Sequence, residues 1–267
     1  MILYPPAKIN TGLNIVEKRT DGYHELETVM VPIPMYDVLE IIKSNHFEWK
    51  QSGIPVDGNT DDNLCVKAFR LIQSVYGIGN VYLHLRKQIP MGAGLGGGSA
   101  DAAYVIKGLN ELFSLNISTE QQEELAAQLG SDCPFFIRNS VQLATGRGEQ
   151  LSPVHINLSG YHLLVVKPTI HINTRQAYSG VHISGDYGKL EQQLSQPVKA
   201  WKEHVKNDFE NHLFVLYPEL SEIKTKLYEA GALYASMSGS GSALFGIFET
   251  DPKHIEPKDC EVFQFIL

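Results

Sequence analysis

The spacing of apolar residues along the chain predicts both strands and helices. Residues 81–86 alternate apolar and polar side chains, as a half-buried strand does, and residues 161–166 form a compact apolar strand. Residues 102–113 and 219–230 instead carry apolar residues at helical spacing. Because these elements follow one another without a regular strand–helix–strand repeat, the pattern favours an α+β chain.

The N-terminal segment, residues 6–15, is predicted to form a strand. With a period of two, Lys8, Asn10 and Gly12 share one face, while apolar residues take the other. On this pattern alone a lysine flanked by core-facing residues is most often a solvated surface charge, and the alternative is a functional cation.

Residues 120–129 predict a second helix after the one at residues 102–113. Ser118 and Gln121 have the spacing of a capping box at its start. Gly130 stands where a C-terminal cap is expected. Two helices in succession argue against a dinucleotide-binding unit, which would place a strand here.

A dense run of glycines separates the predicted strand from the first of these helices. Five of the seven residues from 92 to 98 are glycine. Glycine loses more backbone freedom on folding than any other residue, so such a run indicates a backbone that needs positive φ angles and exposed N–H groups. A strand, a glycine loop and a helix N-terminus together bind phosphate well. The alternative is a flexible turn.

Two familiar glycine loops fit this run poorly. A P-loop ends in Gly-Lys-Ser/Thr, whereas Gly98 is followed by Ser99 and Ala100. The spacing from Gly92 to Gly97 matches the dinucleotide fingerprint, but that match is weak without a following strand that ends in an acidic residue. The run therefore predicts a phosphate site of another kind.

The pattern changes near residue 150, which predicts two domains, 1–150 and 151–267. A polar region extends to about residue 208, before the late helix and a strand at residues 243–248. The short Gly/Ser run at residues 236–242 lies between them and indicates a backbone that passes near a ligand. A cleft between two lobes is the default place for such a ligand.

Composition and charge exclude several classes of protein. The chain has 267 residues, 43% of them hydrophobic, and a formal net charge of −8, which argues against nonspecific binding to nucleic acid or to an anionic membrane. Cys65, Cys133 and Cys260 are scattered and odd in number, as expected in a reducing cytoplasm. No signal pattern or membrane-spanning run is present, and the ten histidines show no metal-ligand spacing.

Two short segments carry candidate chemistry. Residues 18–25 contain two cations, a glycine turn and the pair Tyr23–His24, which could supply a stacking face and a hydrogen-bonding edge. A hairpin with exposed charges explains the rest of that segment. Asp132 precedes two phenylalanines and is either a turn aspartate that bonds its own backbone or a half-buried carboxylate that accepts a proton.

Residues 6–10, 90–103 and 236–246 together resemble the three motifs of the GHMP kinase superfamily. Residues 18–25 and 129–136 resemble the branch that acts on a cytidine diphosphate derivative of a sugar alcohol. The resemblance covers nearly the whole chain. It implies an α+β, two-lobed GHMP kinase fold, with the active site in the cleft between an N-terminal ATP-binding lobe and a C-terminal α/β lobe.

The resemblance also implies the reaction, in which the γ-phosphate of ATP passes to a tertiary 2-hydroxyl group on the non-mevalonate route to isoprenoids. Asp132 would take the hydroxyl proton. Lys8 would keep that carboxylate ionised and neutralise charge on the transferring group. Residues 61–64 resemble the family segment near the adenine. The residues that would surround the ATP phosphates are Pro90, Met91, Gly92, Ala93, Gly94, Leu95, Gly96, Gly97, Gly98, Ser99 and Ala100.

By the same resemblance, Asn10, Tyr23 and His24 would contact the cytidine diphosphate substrate, and His24 would read the cytosine edge. Tyr178 stands where the family has an aromatic side chain against the base. Met30 stands where a second aromatic is expected, and a thioether can still pack on a ring. Mg²⁺ is expected with the nucleotide, although no acidic residue is an obvious ligand for it.

Two other functions are compatible with the motifs. One is a sister kinase that acts on homoserine or mevalonate, and Tyr23–His24 argues against it because those substrates carry no nucleobase. The other is a non-catalytic nucleotide-binding regulator, which would be expected to have lost Lys8 or Asp132. The oligomeric state stays open.

Overall fold

The computed structural model describes residues 1–267 except 57, 182, 184, 186, 253, 254 and 256. The chain forms two compact units from interleaved segments. The first comprises Met1–Ala7, Met35–Met91 and Gly96–Ser140, and the second comprises Lys8–Pro34, Gly92–Leu95 and Val141–Leu267. This division differs from the predicted domains 1–150 and 151–267, which stay a prediction, because an early pair of strands shares a sheet with strands that follow residue 140.

The first unit contains a four-stranded sheet. In spatial order its strands are β1 (Ile2–Leu3), β4 (Val38–Lys43), β6 (Val81–Lys87) and β5 (Glu48–Gly53). All neighbours are antiparallel except β5 and β6, which run parallel. Strand β6 confirms the alternation predicted for residues 81–86, since every second side chain is buried.

Along the chain, the helices of the first unit lie between β5 and β6 and after β6. They are a short 3-10 helix (Thr60–Asp62), α1 (Leu64–Tyr76), α2 (Gly97–Leu112), α3 (Thr119–Ala127) and α4 (Cys133–Arg138). Helix α2 lies against β1 and β4 at Gly108, where a Cβ atom would come within 2.5 Å of Ile41 Cδ1 and 2.6 Å of Leu3 Cδ1. The absence of a side chain therefore allows the close packing of helix and sheet.

Two predicted helix boundaries need correction. Helix α2 starts at Gly97, earlier than predicted, because Gly96 adopts φ +71° and ends the loop directly before it. The capping box of Ser118 and Gln121 is confirmed. Gly130 is not the cap of α3, since the helix ends at Ala127 with Gln128 as its right-handed C-cap.

The second unit contains two four-stranded sheets. In spatial order, the strands of the first sheet are β2 (Pro6–Lys18), β3 (His24–Tyr36), β7 (Gln142–Thr145) and β8 (Gln150–Pro153). The first two residues of β2 and the last two residues of β3 are counted with the first unit. The second orders β10 (Tyr234–Met237), β11 (Leu244–Phe248), β9 (His162–Pro168) and β12 (Cys260–Ile266), all antiparallel. The strands predicted at residues 6–15, 161–166 and 243–248 are confirmed.

The helices that the structure describes in the second unit are α5 (Thr174–Ser179), α6 (Leu190–Leu194), α7 (Val198–His204), α8 (Phe209–Leu216) and α9 (Pro218–Glu229). Of these, α5, α8 and α9 contribute to one continuous apolar cluster. Leu213 and Leu227 of α8 and α9 pack with Leu164, Val166 and Leu244 of the sheet. The polar stretch before residue 208 had not predicted α5, α6 or α7, since each of them is a single short turn or two.

Among the helices that the structure describes, none has both the length and the apolar surface needed to cross a bilayer.

Candidate active site

Lys8 lies inside the second unit. Its side chain is on β2 and the residue is only 3% exposed, so the surface-charge interpretation of this lysine is wrong. The ammonium group donates to Asn10 Oδ1 at 2.5 Å and to the carbonyl oxygen of Gly94 at 2.9 Å. A buried ammonium is strongly disfavoured unless it is hydrogen-bonded, and these partners fix its position.

The carbonyl of Gly94 also accepts the hydroxyl of Ser238 at 2.9 Å. The backbone N–H of Asn10 donates to the same hydroxyl oxygen at 3.2 Å. Gly94 has φ +75°, and a Cβ atom there would lie 1.9 Å from the backbone oxygen of Ser238. Glycine is therefore required at this position, and one carbonyl joins Lys8, the glycine run and the Gly/Ser run.

Two polar residues that the sequence analysis did not single out support this arrangement. Thr28 accepts Asn10 Nδ2 at 3.1 Å and donates to the carbonyl of Gly12 at 2.6 Å. Asn207 donates through Nδ2 to the carbonyls of Met237 and Gly239. No motif marks either residue, although Thr28 lies on the strand that the predicted hairpin places beside Asn10.

His24 and Tyr178 stack face to face in the second unit. Their ring centroids are 4.9 Å apart with an interplanar angle of 20°, and Phe209 packs edge-on against Tyr178. Burial lowers the pKa of His24, and the charge of Lys18 lowers it further. The imidazole is therefore neutral at neutral pH, with one donor and one acceptor nitrogen.

The other residues predicted to contact substrate differ in exposure. Tyr23 is 57% exposed, and the guanidinium of Arg147 lies 4.9 Å from its ring centroid. Met30 is buried, with 2% of its surface exposed, and it pairs with Gln142 on the neighbouring strand β7. Arg147 was not predicted, since a lone arginine in a Gly-Arg-Gly turn has no distinctive pattern.

The N-terminus of α2 lies in the first unit. Gly97, Gly98 and Ser99 form its first turn, and the first intrahelical bond that follows runs from the N–H of Ala100 to the carbonyl of Gly96 at 2.9 Å. The N–H groups of the first turn have no acceptor within the helix and point toward its positive end. Gly98 is exposed, so an anion can approach this turn.

The predicted phosphate segment is shared by the two units. Pro90 and Met91, together with Gly96 to Ala100, belong to the first, while Gly92 to Leu95 belong to the second. Gly92 has φ +60°, and a Cβ atom there would meet the ring of His171 at 2.7 Å. The positive φ angles that the glycine run predicted are thus present at Gly92, Gly94 and Gly96.

Asp132 belongs to the first unit, while Lys8 belongs to the second. Asp132 immediately precedes α4 and is half-buried, and its side chain forms no capping bond to that helix. Next to it, burial raises the pKa of the Cys133 thiol to about 12, although a hydrogen bond with Ser99 opposes that shift. The thiol is therefore protonated and inert at neutral pH.

Metal-ligating side chains do not cluster in the part of the chain that the structure describes. No group of three or more His, Cys, Asp or Glu residues converges there.

Two family models match this chain. The GHMP kinase N-terminal domain matches residues 63–140, and the GHMP kinase C-terminal domain matches residues 190–258. A mevalonate kinase from Methanococcus jannaschii has the same fold, with a TM-score of 0.74 at 12% identity over 100% of this chain and 98% of its own. The two family models and the fold thus define a GHMP kinase, a class of enzyme that uses ATP.

Similar proteins define the branch of this class. A Parabacteroides distasonis protein named 4-diphosphocytidyl-2-C-methyl-D-erythritol kinase is 47% identical over 99% of this chain and 98% of its own length. A Bacteroides thetaiotaomicron protein of the same name is 48% identical over 94% and 93%. The crystal structure of a 4-(cytidine 5′-diphospho)-2C-methyl-D-erythritol kinase superposes with a TM-score of 0.80 at 34% identity, covering 92% and 90%. The chain belongs to the family of 4-diphosphocytidyl-2-C-methyl-D-erythritol kinases.

Replacement of Gly94 by alanine tests the close approach around its carbonyl. We expect Gly94→Ala to lower the free energy of unfolding by about 1–2 kcal/mol or more, because a left-handed conformation alone costs an L-residue that much and the new methyl group would meet the backbone of Ser238. Urea unfolding measures the change. In the matched control Gly98→Ala, the added Cβ would have only Leu64 Cδ1 as a neighbour, at 4.0 Å. Equal stability of the two variants would contradict the prediction.

Proposed function

We propose that this protein transfers the γ-phosphate of ATP to the 2-hydroxyl group of 4-diphosphocytidyl-2-C-methyl-D-erythritol, a step in isoprenoid precursor synthesis. The observation that carries the proposal is 47% identity over nearly the full length of a protein with that name. The Lys8–Gly94–Ser238 network supports it, because it joins all three motifs on which the resemblance to GHMP kinases rests.

In the proposed mechanism Asp132 accepts the proton of the attacking hydroxyl group. Lys8 supplies a fixed positive charge that stabilises the carboxylate and the transferring phosphoryl group. Because Asn10 and the carbonyl of Gly94 already hold the ammonium group, little reorganisation is needed during the reaction. Phosphoryl transfer depends chiefly on such positioning and charge stabilisation, and the base contributes a smaller factor.

The ATP phosphates are proposed to bind along residues 90–100. The N–H groups of the first turn of α2 (Gly97–Leu112) and its dipole attract anions without adding a formal charge, which suits a chain of net charge −8. Mg²⁺ bound to the nucleotide would neutralise charge on the phosphates. Residues 61–64 are proposed to lie near the adenine.

Recognition of the cytidine is assigned to the stacked pair His24 and Tyr178, with Tyr23, Asn10 and Met30 as further contacts. A neutral imidazole offers both a donor and an acceptor, which is what the edge of a cytosine requires. Aromatic faces bind a base by stacking regardless of charge. Kinases of homoserine or mevalonate act on substrates that have no base for such a pair.

A cytoplasmic location is also proposed. It is supported by Cys65, Cys133 and Cys260, all of which carry free thiols. Free thiols are typical of a reducing compartment.

The proposed substrate is tested by a panel of acceptors. We expect ATP-dependent phosphorylation of the cytidyl substrate with a kcat/KM far above that for mevalonate or homoserine, because only the first has a base for His24 to contact. Coupled detection of ADP measures all three rates. A preference for mevalonate or homoserine would support a sister kinase, and no turnover of any acceptor with intact ATP binding would support a regulator.

The base is tested by Asp132→Asn, which keeps the size of the side chain and removes its ability to accept a proton. We expect kcat to fall on the order of 100-fold or more, since a positioned general base contributes that much, while ATP still binds. Steady-state kinetics and nucleotide titration measure the two effects. Asp251→Asn is the matched control, because the Asp251 side chain is 76% exposed. Unchanged turnover of Asp132→Asn would remove this residue from the mechanism.

The role of His24 is tested by His24→Ala. Loss of the stack on Tyr178 and of a hydrogen bond should raise the KM for the cytidyl substrate roughly tenfold and leave the KM for ATP unchanged. His46→Ala serves as the control, since the His46 side chain is 77% exposed. Equal changes in both KM values would show that His24 acts on the fold and not on the base.

A further inference from the structure

Three charged side chains are enclosed within the first unit, apart from the residues assigned above to catalysis. Lys87 at the end of β6 (Val81–Lys87) is 2% exposed, Asp37 ahead of β4 (Val38–Lys43) is 0% exposed, and Asp101 on α2 is 2% exposed. The ammonium group of Lys87 donates to both carboxylates, to Asp101 Oδ2 at 2.9 Å and to Asp37 Oδ2. Burial of three charged groups carries a large desolvation cost, which their mutual interactions have to offset.

The two carboxyl groups have unequal surroundings. Asp37 Oδ1 accepts the backbone N–H groups of Gln88 at 2.5 Å and Ile89 at 2.9 Å, while its Oδ2 accepts Lys87. Asp101 accepts Lys87 through Oδ2 only, and its buried Oδ1 has no partner among the described residues. Three donated hydrogen bonds suit a carboxylate, whereas the poorly solvated Asp101 is the better place for a proton.

This cluster lies directly beneath the start of α2. A Cβ atom at Gly97, the first helical residue, would lie 2.7 Å from Lys87 Nζ, and Asp101 is four residues further along the same helix. The cluster has a net charge of −1 when both carboxylates are ionised and zero when Asp101 holds a proton. Its protonation state therefore changes the charge next to the turn where an anion is expected.

We propose that Asp101 takes up a proton from solvent when the phosphates of a nucleotide bind at the N-terminus of α2. The inference rests on the proposed function, which assigns the ATP phosphates to residues 90–100. An ionised Asp101 and a bound phosphate repel each other across a poorly solvated helix turn, and protonation removes that repulsion. Asp101 is thus a positioning and charge-setting residue and makes no contact with the reacting atoms.

The direction of the pH effect follows from the geometry and the titration of Asp101. Burial raises the pKa of Asp101 to about 8, with Lys87 opposing the shift and Asp37 adding to it. A bound anion raises that pKa further, so the protonated enzyme binds nucleotide more tightly. Affinity is constant below this pKa and falls as the pH rises through it, reaching a second plateau above the pKa of the complex.

Other groups that face Asp101 do not titrate in this window. The Lys87 ammonium keeps a raised pKa because both carboxylates outweigh its burial. The thiol of Cys65 on α1 (Leu64–Tyr76) has its pKa raised well above the usual range by burial and by Asp101 itself. The pKa of Cys133 on α4 (Cys133–Arg138) is about 12. The phosphates of the nucleotide, which titrate at about pH 6, are already ionised.

Calorimetry tests the proposal. Binding of ADP and of a non-hydrolysable ATP analogue is titrated at the pKa of Asp101, in two buffers that differ in ionisation enthalpy, which gives the number of protons taken up. We expect a fraction of a proton per nucleotide for the unchanged protein. The dissociation constant should rise roughly three- to tenfold between neutral pH and about two units above it, since one unit of pKa shift corresponds to tenfold in affinity.

Asp101→Asn mimics the protonated side chain and should abolish both the proton uptake and the pH dependence, while retaining affinity at neutral pH. Glu111→Gln is the control, because it removes a carboxylate from an exposed position of the same helix and should behave as the unchanged protein. A purely structural Asp101 would alter stability and leave the proton count unaffected.

The outcomes separate this inference from the proposed function. Nucleotide binding without proton uptake, or equal uptake by Asp101→Asn, overturns the inference and leaves the kinase proposal intact, whereas failure of any nucleotide to bind overturns both. If Asp101→Asn does not fold, infrared difference spectra of the unchanged protein decide. A gain in the protonated carboxyl band on nucleotide addition supports the inference, and no gain overturns it.

Discussion

The arrangement of the second unit depends on one backbone carbonyl, that of Gly94. It accepts the ammonium group of Lys8 and the hydroxyl of Ser238, both of which are almost fully buried. A side chain on Gly94 would collide with the backbone oxygen of Ser238. Because a buried polar group without a partner is costly, each of these three residues constrains the other two. A cation held in this way keeps its position whether or not an anion is present.

The first unit also encloses an ammonium group, but there carboxylates hold it, whereas neutral oxygen atoms hold Lys8. Lys87 lies against the first residue of α2, where the positive end of the helix dipole disfavours a lone ammonium group. Asp37 and Asp101 neutralise it from two sides. Asp37 also holds the backbone of residues 88 and 89, so the segment that leads into the glycine run is fixed by the same group that balances the charge.

Elements that depend on neighbouring residues in the sequence could be predicted from local patterns. Alternation located β6, and capping residues located the start of α3 at Thr119. The glycine run indicated positive φ angles because only glycine adopts them freely. Pairwise contacts across long sequence distances left no such pattern. Asn207 holds the Gly/Ser run and Asp37 reaches Lys87 fifty positions away, yet each reads locally as an ordinary polar residue. The residues around Asp132 left a turn aspartate and a proton acceptor both open, the resemblance favoured the base, and that role stays a prediction.

The proposed function requires two kinds of recognition in one acidic chain, one of phosphates and one of a base, and they depend on different interactions. In the proposed function, phosphate binding would rely on partial charges of backbone N–H groups and on the enclosed ammonium group of Lys8, whose effect is strong because little water screens it. In the proposed function, recognition of the base would rely on His24, which burial keeps neutral, and on its stack with Tyr178. A charged imidazole there would attract the phosphates of either substrate and reduce discrimination between them. In the proposed function, a neutral His24 and the enclosed charge of Lys8 would therefore help to distinguish a cytidyl nucleotide from an adenine nucleotide, although both carry phosphates.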